Sequence, residues 1–271
     1  MRVEVTPAIL FERAAGFPGV VFLDGRAGSR RAPLSHVAWS PERSFRAWCD
    51  GRVTVDGANV QADVLETLDR FLDGESAARR TVVGAFGYDL RHRIEPRSGP
   101  PRTELPVVAA ASYSRCYTYD HRTSAWQEPP PRLPERRSGG VTLSRPRPNI
   151  DLAEYRRRFE RTKEWIRAGD VYQVNLSIAF EAEIRGDPAS LYQRLAHGNP
   201  APYGAYVDLG DVRILCNSPE LFLARRGTSL TTRPIKGTRR RGRTPEEDAR
   251  LVGELLGDAK EAAEHVMIVD L

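Results

Sequence analysis

The sequence contains very little lysine. Lysine and arginine together number 41 among 271 residues, but only Lys163, Lys236 and Lys260 are lysines. Arginine therefore supplies nearly all of the positive charge, and a guanidinium group effectively never loses its proton. An ammonium group can lose one and then act as a nucleophile, so each lysine is a candidate for covalent chemistry.

Cysteine is equally scarce. Cys49, Cys116 and Cys216 are widely spaced, and none has a Cys or His neighbour at metal-ligand spacing. This pattern excludes a disulfide framework and a closely spaced zinc motif. We expect the three thiols to be reduced and largely buried.

Long apolar segments are missing as well. The longest stretches, such as residues 105–111, are far shorter than the roughly 18 to 20 residues that span a bilayer. The N-terminus carries Glu4, Glu12 and Arg13 and lacks the apolar run of a secretory signal. With 40% hydrophobic residues, the chain is predicted to be a folded, cytoplasmic protein of one or two domains.

The net charge of +5 raises the question of nucleic-acid binding. Arginines cluster at positions 239, 240, 241 and 243, but 36 acidic residues are interspersed with the basic ones along the chain. No aromatic side chain lies within the basic run to stack on a base. We therefore expect neither a nucleic-acid partner nor a membrane partner.

A segment rich in Pro, Gly, Ser and Arg at residues 128–148 predicts a linker. It separates an N-terminal region, residues 1–127, from a C-terminal region that begins at residue 149. The elements predicted in the N-terminal region are strands near residues 20–23, 82–88 and 107–113 and a helix near residues 60–72. This mixture predicts an α+β fold.

The C-terminal region begins with a strong helix signal. Apolar residues recur at spacings of three and four from residue 152 to residue 166, Asp151 and Glu154 form a capping box, and Gly169 marks the end. The elements predicted after it are a strand at residues 171–180, hairpins around Gly210-Asp211 and Arg226-Gly227, and helices that begin after Thr244 and Asp258.

The second hairpin brings a lysine near a carboxylate. If the hairpin is centred near Gly227, Glu220 lies opposite Pro234, and Lys236 is on the same face of the strand as Pro234. Pro234 lacks an N–H group, so a one-residue slip would separate the pair. A surface salt bridge explains the pair, as does a nucleophilic lysine with a proton-handling carboxylate. Arg233 and Arg239 favour the neutral amine, whereas Glu220 favours the ammonium ion.

Two glutamates share a face of the last predicted helix. Glu261 and Glu264 are three residues apart, and paired carboxylates suit a hard cation such as Mg²⁺, which needs six oxygen ligands in all. A solvated helix face explains the pair as well. Gly237 and Thr238 offer an N–H group and a hydroxyl group for a substrate carboxylate, although an ordinary turn accounts for them equally. His265 beside the pair is expected to be structural.

Several segments, in this order, resemble the chorismate-utilising family that includes the large subunits of anthranilate synthase and aminodeoxychorismate synthase. The matching segments are AGDVYQVNLS at 168–177, NPAPY at 199–203, SPE at 218–220, RPIKGT at 233–238 and AEHVMIVDL at 263–271, with a weaker match in GYDL at 87–90. Together they are distributed over residues 87–271, which is most of the chain. The resemblance implies an anthranilate synthase component I-like fold, in which antiparallel sheets form a sandwich flanked by helices.

The lysine in PIKGT is similar to the aminodeoxychorismate synthase pattern, because anthranilate synthases typically have alanine there. The resemblance implies that Lys236 attacks C2 of chorismate as the 4-hydroxyl group leaves, and that ammonia then adds at C4 and displaces the lysine. The other site residues that it implies are Glu220 as general acid or base, Glu261 and Glu264 as Mg²⁺ ligands, and Gly237 and Thr238 as substrate contacts. It also implies a separate glutamine amidotransferase subunit that supplies ammonia, and a role in p-aminobenzoate and folate synthesis.

Members of this family continue beyond residues 269–271 with an Arg-Asn-Asp motif and a long segment that completes the metal site and the substrate pocket. The resemblance therefore implies that the fold is incomplete at the C-terminus. Two alternatives to aminodeoxychorismate synthase stay open. One is anthranilate synthase or another chorismate-utilising enzyme, and the other is a catalytically incomplete fragment that only binds a ligand or a partner.

Overall fold

A computed structural model describes residues 5–25, 33–95, 103–137 and 139–270. In chain order the strands are β1 (Val21–Asp24), β2 (Leu34–Ala38), β3 (Arg43–Ala47), β4 (Val53–Val55), β5 (Ala58–Val60), β6 (Thr81–Phe86), β7 (Val108–Tyr113), β8 (Tyr117–Asp120), β9 (Ala125–Trp126), β10 (Val141–Leu143), β11 (Arg147–Pro148), β12 (Phe180–Glu181), β13 (Ile184–Gly186), β14 (Tyr203–Asp208), β15 (Arg213–Ser218), β16 (Leu221–Arg226) and β17 (Ser229–Arg233). The α-helices are α1 (Pro7–Ala14), α2 (Val64–Ala77), α3 (Arg91–Ile94), α4 (Leu152–Ala168), α5 (Pro188–Gly198), α6 (Pro245–Leu256) and α7 (Ala259–Val269).

Contacts group the chain into two units, one of Met1–Glu135 with Leu195–Leu271 and one of Arg136–Arg194. This grouping differs from the division predicted at residues 128–148. The physical reason is strand pairing, because β14 joins the sheet that contains β1, with Val21 opposite Val207. The predicted linker also contains β10 and β11, which pair with β13 and β12.

The first unit contains two antiparallel sheets that pack face to face. The strand orders are β15-β14-β1-β2-β8-β9 and β5-β4-β3-β7-β6. Val21 and Val207 of the six-stranded sheet share one buried cluster with Val83, Ala109 and Ala111 of the five-stranded sheet. The predicted α+β sandwich is thus confirmed in the described residues.

Two helices cover the outer faces of these sheets. Leu10 and Phe11 of α1 are fully buried, and Phe11 stacks on Phe22 of the six-stranded sheet at a ring distance of 5.0 Å. Helix α1 is missing from the sequence-based prediction, although Thr6-Pro7 is a start signal. Helix α2 packs on the five-stranded sheet and begins at Val64, four residues later than predicted, because Asp63 caps the amides of the first turn.

In the second unit, helix α4 has the predicted boundaries. The Asp151 carboxylate accepts a hydrogen bond from the Glu154 amide at 2.7 Å, and Gly169 ends the helix in the left-handed conformation. The strand predicted at residues 171–180 is wrong for all but Phe180. Within the described residues, strand pairing in this segment begins only at its end, where the Ala179 carbonyl accepts a hydrogen bond from the Asn149 amide and Phe180 pairs with Pro148 of β11. Residues 171–178 have no neighbouring strand there, so their apolar character does not produce a strand.

None of the helices in the described ranges combines the length and apolar composition needed to cross a bilayer.

Glu75 forms a buried ionic network in the first unit. Its side chain is only 2% exposed, and it accepts hydrogen bonds from Ser112 Oγ, Arg43 Nη1 and Arg80 Nη1. Burial alone would raise the pKa of Glu75, but the hydrogen bonds from Ser112 and Arg80 and the two positive charges lower it below its usual value. The carboxylate thereby connects α2 to β3 and β7.

Replacing Glu75 by glutamine should lower the free energy of unfolding at pH 7 by about 2 to 4 kcal/mol, because two guanidinium groups lose their buried counter-charge. Since the folded-state pKa of Glu75 is lowered, the wild-type advantage is complete above the unfolded-state pKa of about 4.3. It disappears as pH falls through the folded-state value. Urea denaturation at several pH values measures both effects.

The matched control is Glu66→Gln on the same helix. Glu66 pairs with Arg70 at 2.8 Å, but its side chain is 66% exposed, and such surface pairs contribute little to stability. Equal losses of unfolding free energy in the Glu66→Gln and Glu75→Gln proteins would contradict a special role for the buried network.

Candidate active site

The hairpin of β16 and β17 carries Glu220 to the segment that contains Lys236. Leu221 pairs with Arg233, as predicted, but the pairs nearer the turn, such as Arg226 with Ser229, differ from the predicted register by one residue. A register shift between Leu221 and Ala224 accounts for the difference. Glu220, one residue before β16, accepts a hydrogen bond through Oε1 from the Ile235 amide at 3.2 Å. The structure therefore places the Glu220 carboxylate against the residue that precedes Lys236.

Lys236 is half-buried. In the described part of the chain its amine forms no ion pair. The salt bridge between Glu220 and Lys236, one of the two interpretations of the sequence, is not present there, and the Glu220 carboxylate accepts a hydrogen bond from the Ile235 amide. The side chain of Lys236 is thus not held by any described carboxylate.

Gly237 lies directly against helix α7. Its φ angle is +74°, a region that favours glycine. A Cβ atom at this position would lie 2.8 Å from Leu255 Cδ1 and 3.0 Å from Glu261 Oε2. A side chain here would therefore have to displace one of these two groups, and glycine permits the loop to approach Glu261. The neighbouring Thr238 is exposed.

Helices α6 and α7 begin where the sequence predicts. Thr244 Oγ1 accepts a hydrogen bond from the Glu247 amide at 3.2 Å. Asp258 Oδ1 accepts from the amides of Lys260 and Glu261 at 3.0 and 3.2 Å. The bond from the Glu261 amide is the main reason that the pKa of Asp258 lies below its usual value, and Arg239 adds to this effect.

Glu261 and Glu264 are both half-buried on α7, with side chains 19% and 24% exposed. Glu261 Oε1 lies 3.4 Å from Arg239 Nη1, and Glu264 Oε1 lies 2.7 Å from Lys260 Nζ. The described residues contain no group of three or more His, Cys, Asp or Glu side chains that could hold a metal ion. Carboxylate oxygens are the donors that Mg²⁺ prefers, so the pair fits the ion chemically but supplies only part of its ligands.

Three of the four arginines in the run pair with acidic residues at the starts of α6 and α7. The pairs are Arg239 with Asp258 at 2.6 Å, Arg240 with Glu247, and Arg241 with Asp248 at 2.7 Å. The hydrogen bond from Arg241 is the main cause of the lowered pKa of Asp248. These pairs attach the loop to the two helices, although the side chains of Arg240 and Arg241 remain 60% and 89% exposed.

The structure adds Arg239 to the candidate site. The sequence predicts only that this arginine supplies positive charge near Lys236. Its guanidinium group is instead directed at α7, where it binds Asp258 and Glu261. The capping role of Asp258 is the signal in the sequence, but its pairing with an arginine 19 residues away has no local pattern.

Comparisons with known proteins agree with the motifs that surround this site. A sequence model described as chorismate binding enzyme matches residues 19–271. Anthranilate synthase component 1 of Thermus thermophilus is 38% identical over 301 residues, which cover 98% of this chain and 64% of that protein. Aminodeoxychorismate synthase component 1 of Bacillus subtilis is 50% identical over 112 residues, which cover 41% of this chain and 24% of that protein.

A solved structure confirms the fold. Anthranilate synthase component I from Streptococcus pneumoniae superposes with a TM-score of 0.70 at 24% identity, covering 91% of this chain and 62% of that one. The chain thus spans less than two thirds of the length of each of these relatives. Because the family model matches nearly the whole sequence, from residue 19 to residue 271, this chain belongs to the chorismate binding enzyme family.

Proposed function

We propose that this chain supplies the lysine-bearing part of the active site of an aminodeoxychorismate synthase component 1. The observation that carries the proposal is Lys236 itself. It stands in the Arg-Pro-Ile-Lys-Gly-Thr segment, it is half-buried, and it forms no ion pair with the described residues. A lysine without a carboxylate partner is better suited to nucleophilic attack than one held in a salt bridge.

The proposed reaction has two displacement steps. In the first, the Lys236 amine forms a bond to C2 of chorismate while the 4-hydroxyl group leaves, and Glu220 donates the proton that converts this group to water. In the second, ammonia adds at C4 and the bond between C2 and the lysine breaks, which restores the free amine. The product is 4-amino-4-deoxychorismate. Division of one difficult displacement into two is the general advantage of covalent catalysis.

The residues around Lys236 suit the carboxylates of chorismate. The Gly237 amide and the Thr238 hydroxyl group are donors next to the nucleophile, and a backbone turn of this kind can bind an anion. Glu261 and Glu264 would hold Mg²⁺, with further ligands from water, substrate or other residues. Mg²⁺, when bound, supplies positive charge for a substrate carboxylate.

The ammonia would come from a partner protein. The relatives from Thermus thermophilus and Bacillus subtilis are both named component 1, which is consistent with a second component. We propose a glutamine amidotransferase subunit in that role.

Anthranilate synthase is the second candidate function. One observation favours it, because the alignment that covers 98% of this chain is to an anthranilate synthase component 1. Lysine at position 236 favours the aminodeoxychorismate product, since alanine is typical of anthranilate synthases at this position. A binding role without catalysis is the candidate of another class, and turnover of chorismate by the 271-residue chain alone would exclude it.

Lys236→Ala should reduce the conversion of chorismate to aminodeoxychorismate by a factor on the order of 10² or more, because the covalent step loses its nucleophile. The assay contains chorismate, Mg²⁺ and an ammonium salt, and it uses the longest protein that includes this chain. Chromatography of the same mixtures separates aminodeoxychorismate from anthranilate and so distinguishes the two enzymes.

Lys163→Ala is the matched control for loss of a lysine. Lys163 lies on α4 in the second unit, where its ammonium group contacts the ring of Phe159, and we expect its removal to leave the conversion rate unchanged. Full activity in the Lys236→Ala protein would rule out the nucleophile assignment, and anthranilate as the main wild-type product would favour the second candidate.

Gly237→Ala should raise the KM for chorismate about 10-fold, because the added Cβ atom forces the loop away from Leu255 and Glu261 and misplaces the substrate contacts. Gly227→Ala, at the turn between β16 and β17, is the control. Gly227 also has a positive φ angle, +60°, but apart from Gly227 and its two chain neighbours no heavy atom of the described residues lies within 4 Å of the place that a Cβ atom would take there. Both variants strain a backbone with positive φ, but only Gly237→Ala also creates a steric clash, so steady-state kinetics of the two distinguishes these effects. An equal rise in KM in both variants would contradict a specific effect of the clash.

A further inference from the structure

Each of the two glutamates that we propose as cation ligands already forms an ion pair with a basic side chain of this protein. Glu261 pairs with Arg239, and Glu264 pairs with Lys260. A divalent cation that binds the two glutamates must therefore share them with these groups or displace them. Like charges at one carboxylate repel each other, and the repulsion is stronger where water is partly excluded.

The two ion pairs differ in strength. Lys260 is 75% exposed and sits one helical turn from Glu264, and exposed pairs of this kind stabilise little. Arg239 is only 29% exposed, and Asp258 holds its guanidinium group at 2.6 Å. Arg239 is therefore the stronger competitor for a cation at this pair of glutamates.

The contacts of Arg239 also position the loop between β17 and α6, residues 234–244, which contains Lys236. Arg239 is three residues beyond Lys236, and its Nη1 group bonds both to the Thr238 carbonyl at 3.0 Å and to Glu261 at 3.4 Å. Gly237 lies against the same Glu261 carboxylate. The Glu261 carboxylate thus contacts the loop at both Gly237 and Arg239.

We propose that Arg239 is a positioning residue that competes with a divalent cation for Glu261 and that holds the Lys236 loop on α7. The inference rests on the proposed cation role of Glu261 and Glu264. Because the binding energies of two ligands that share one group are linked, a stronger contact between Arg239 and Glu261 weakens binding of the cation. Binding of the cation likewise weakens the contact with Arg239.

The test measures binding of Mn²⁺, a paramagnetic probe of Mg²⁺ sites, by the electron paramagnetic resonance signal of the free ion. Arg239→Gln should bind Mn²⁺ about 3- to 10-fold more tightly than the wild-type chain, because a partly buried competing charge is removed. Arg239→Lys, which keeps the charge, should remain within about 2-fold of wild type. Arg240→Gln is the matched control, since Arg240 pairs with Glu247 on α6, and it should match wild type.

The outcomes separate this inference from the proposed function. Unchanged Mn²⁺ affinity in Arg239→Gln, while Glu261→Gln weakens binding, overturns the competition but leaves the cation role of Glu261 intact. If Glu261→Gln has no effect, or if no variant binds Mn²⁺ saturably, the cation role itself fails and the competition fails with it.

A second measurement tests the loop without any cation. Amide hydrogen exchange at residues 235–238 should be about 5-fold faster in Arg239→Gln than in wild type, because a tether of the loop is lost. The Arg240→Gln protein should exchange at the wild-type rate. Exchange in Arg239→Gln that is as slow as in wild type overturns the positioning role, and the thermal unfolding midpoints of the variants show whether the fold is retained.

Discussion

Burial of strand β7 on both faces is the constraint on which the first unit depends. Ala109 and Ala111 face the cluster shared with the six-stranded sheet, whereas Val108 and Ala110 face the cluster that contains α2. Small side chains allow layers on both sides of this strand to approach closely. The sandwich fixes β1, which in turn pairs with β14, and β14 pairs with β15. The chain leaves this sheet at Ser218, two residues before Glu220, so the position of Glu220 follows from packing that begins far from it in sequence.

Local signals predicted much of this structure, and their limits are physical. Helix starts at Asp151, Thr244 and Asp258 were predictable because a capping side chain bonds to amides within three residues. The predicted hairpin register is correct only for Leu221 and Arg233, because the pairs nearer the turn are offset by one residue and the ladder shifts between Leu221 and Ala224, a local irregularity that a turn position does not predict. The pairing of β14 with β1 was not predictable, because no local sequence pattern identifies the partner of a strand that lies far away in sequence. For the same reason the segment at residues 128–148, which is rich in proline and arginine, gave no sign of the strands it contains.

The candidate site shows the same division. Motifs identified Lys236, Glu220, Gly237, Thr238, Glu261 and Glu264 as the residues of interest, and the structure brings Glu220 to Ile235 and Gly237 to Glu261. Sequence alone left the pair of Glu220 and Lys236 open between a salt bridge and a nucleophile with its acid. In the described residues no ion pair joins Glu220 to Lys236, and the Glu220 carboxylate instead accepts a hydrogen bond from the Ile235 amide. The role of Arg239 could not be foreseen, since it depends on how the loop meets α7.

Carboxylates at the starts of α6 and α7 serve two purposes at once. They lie where negative charge is favourable at a helix N-terminus, and they also bind the loop, with Asp258 on Arg239 and Asp248 on Arg241. A change in either helix start therefore changes the loop. On its other side, the loop is tied by Glu220 to Ile235. Residues 236–238 lie between these two attachments, so the span that contains the proposed nucleophile is held at both ends while its own side chains stay available for a substrate.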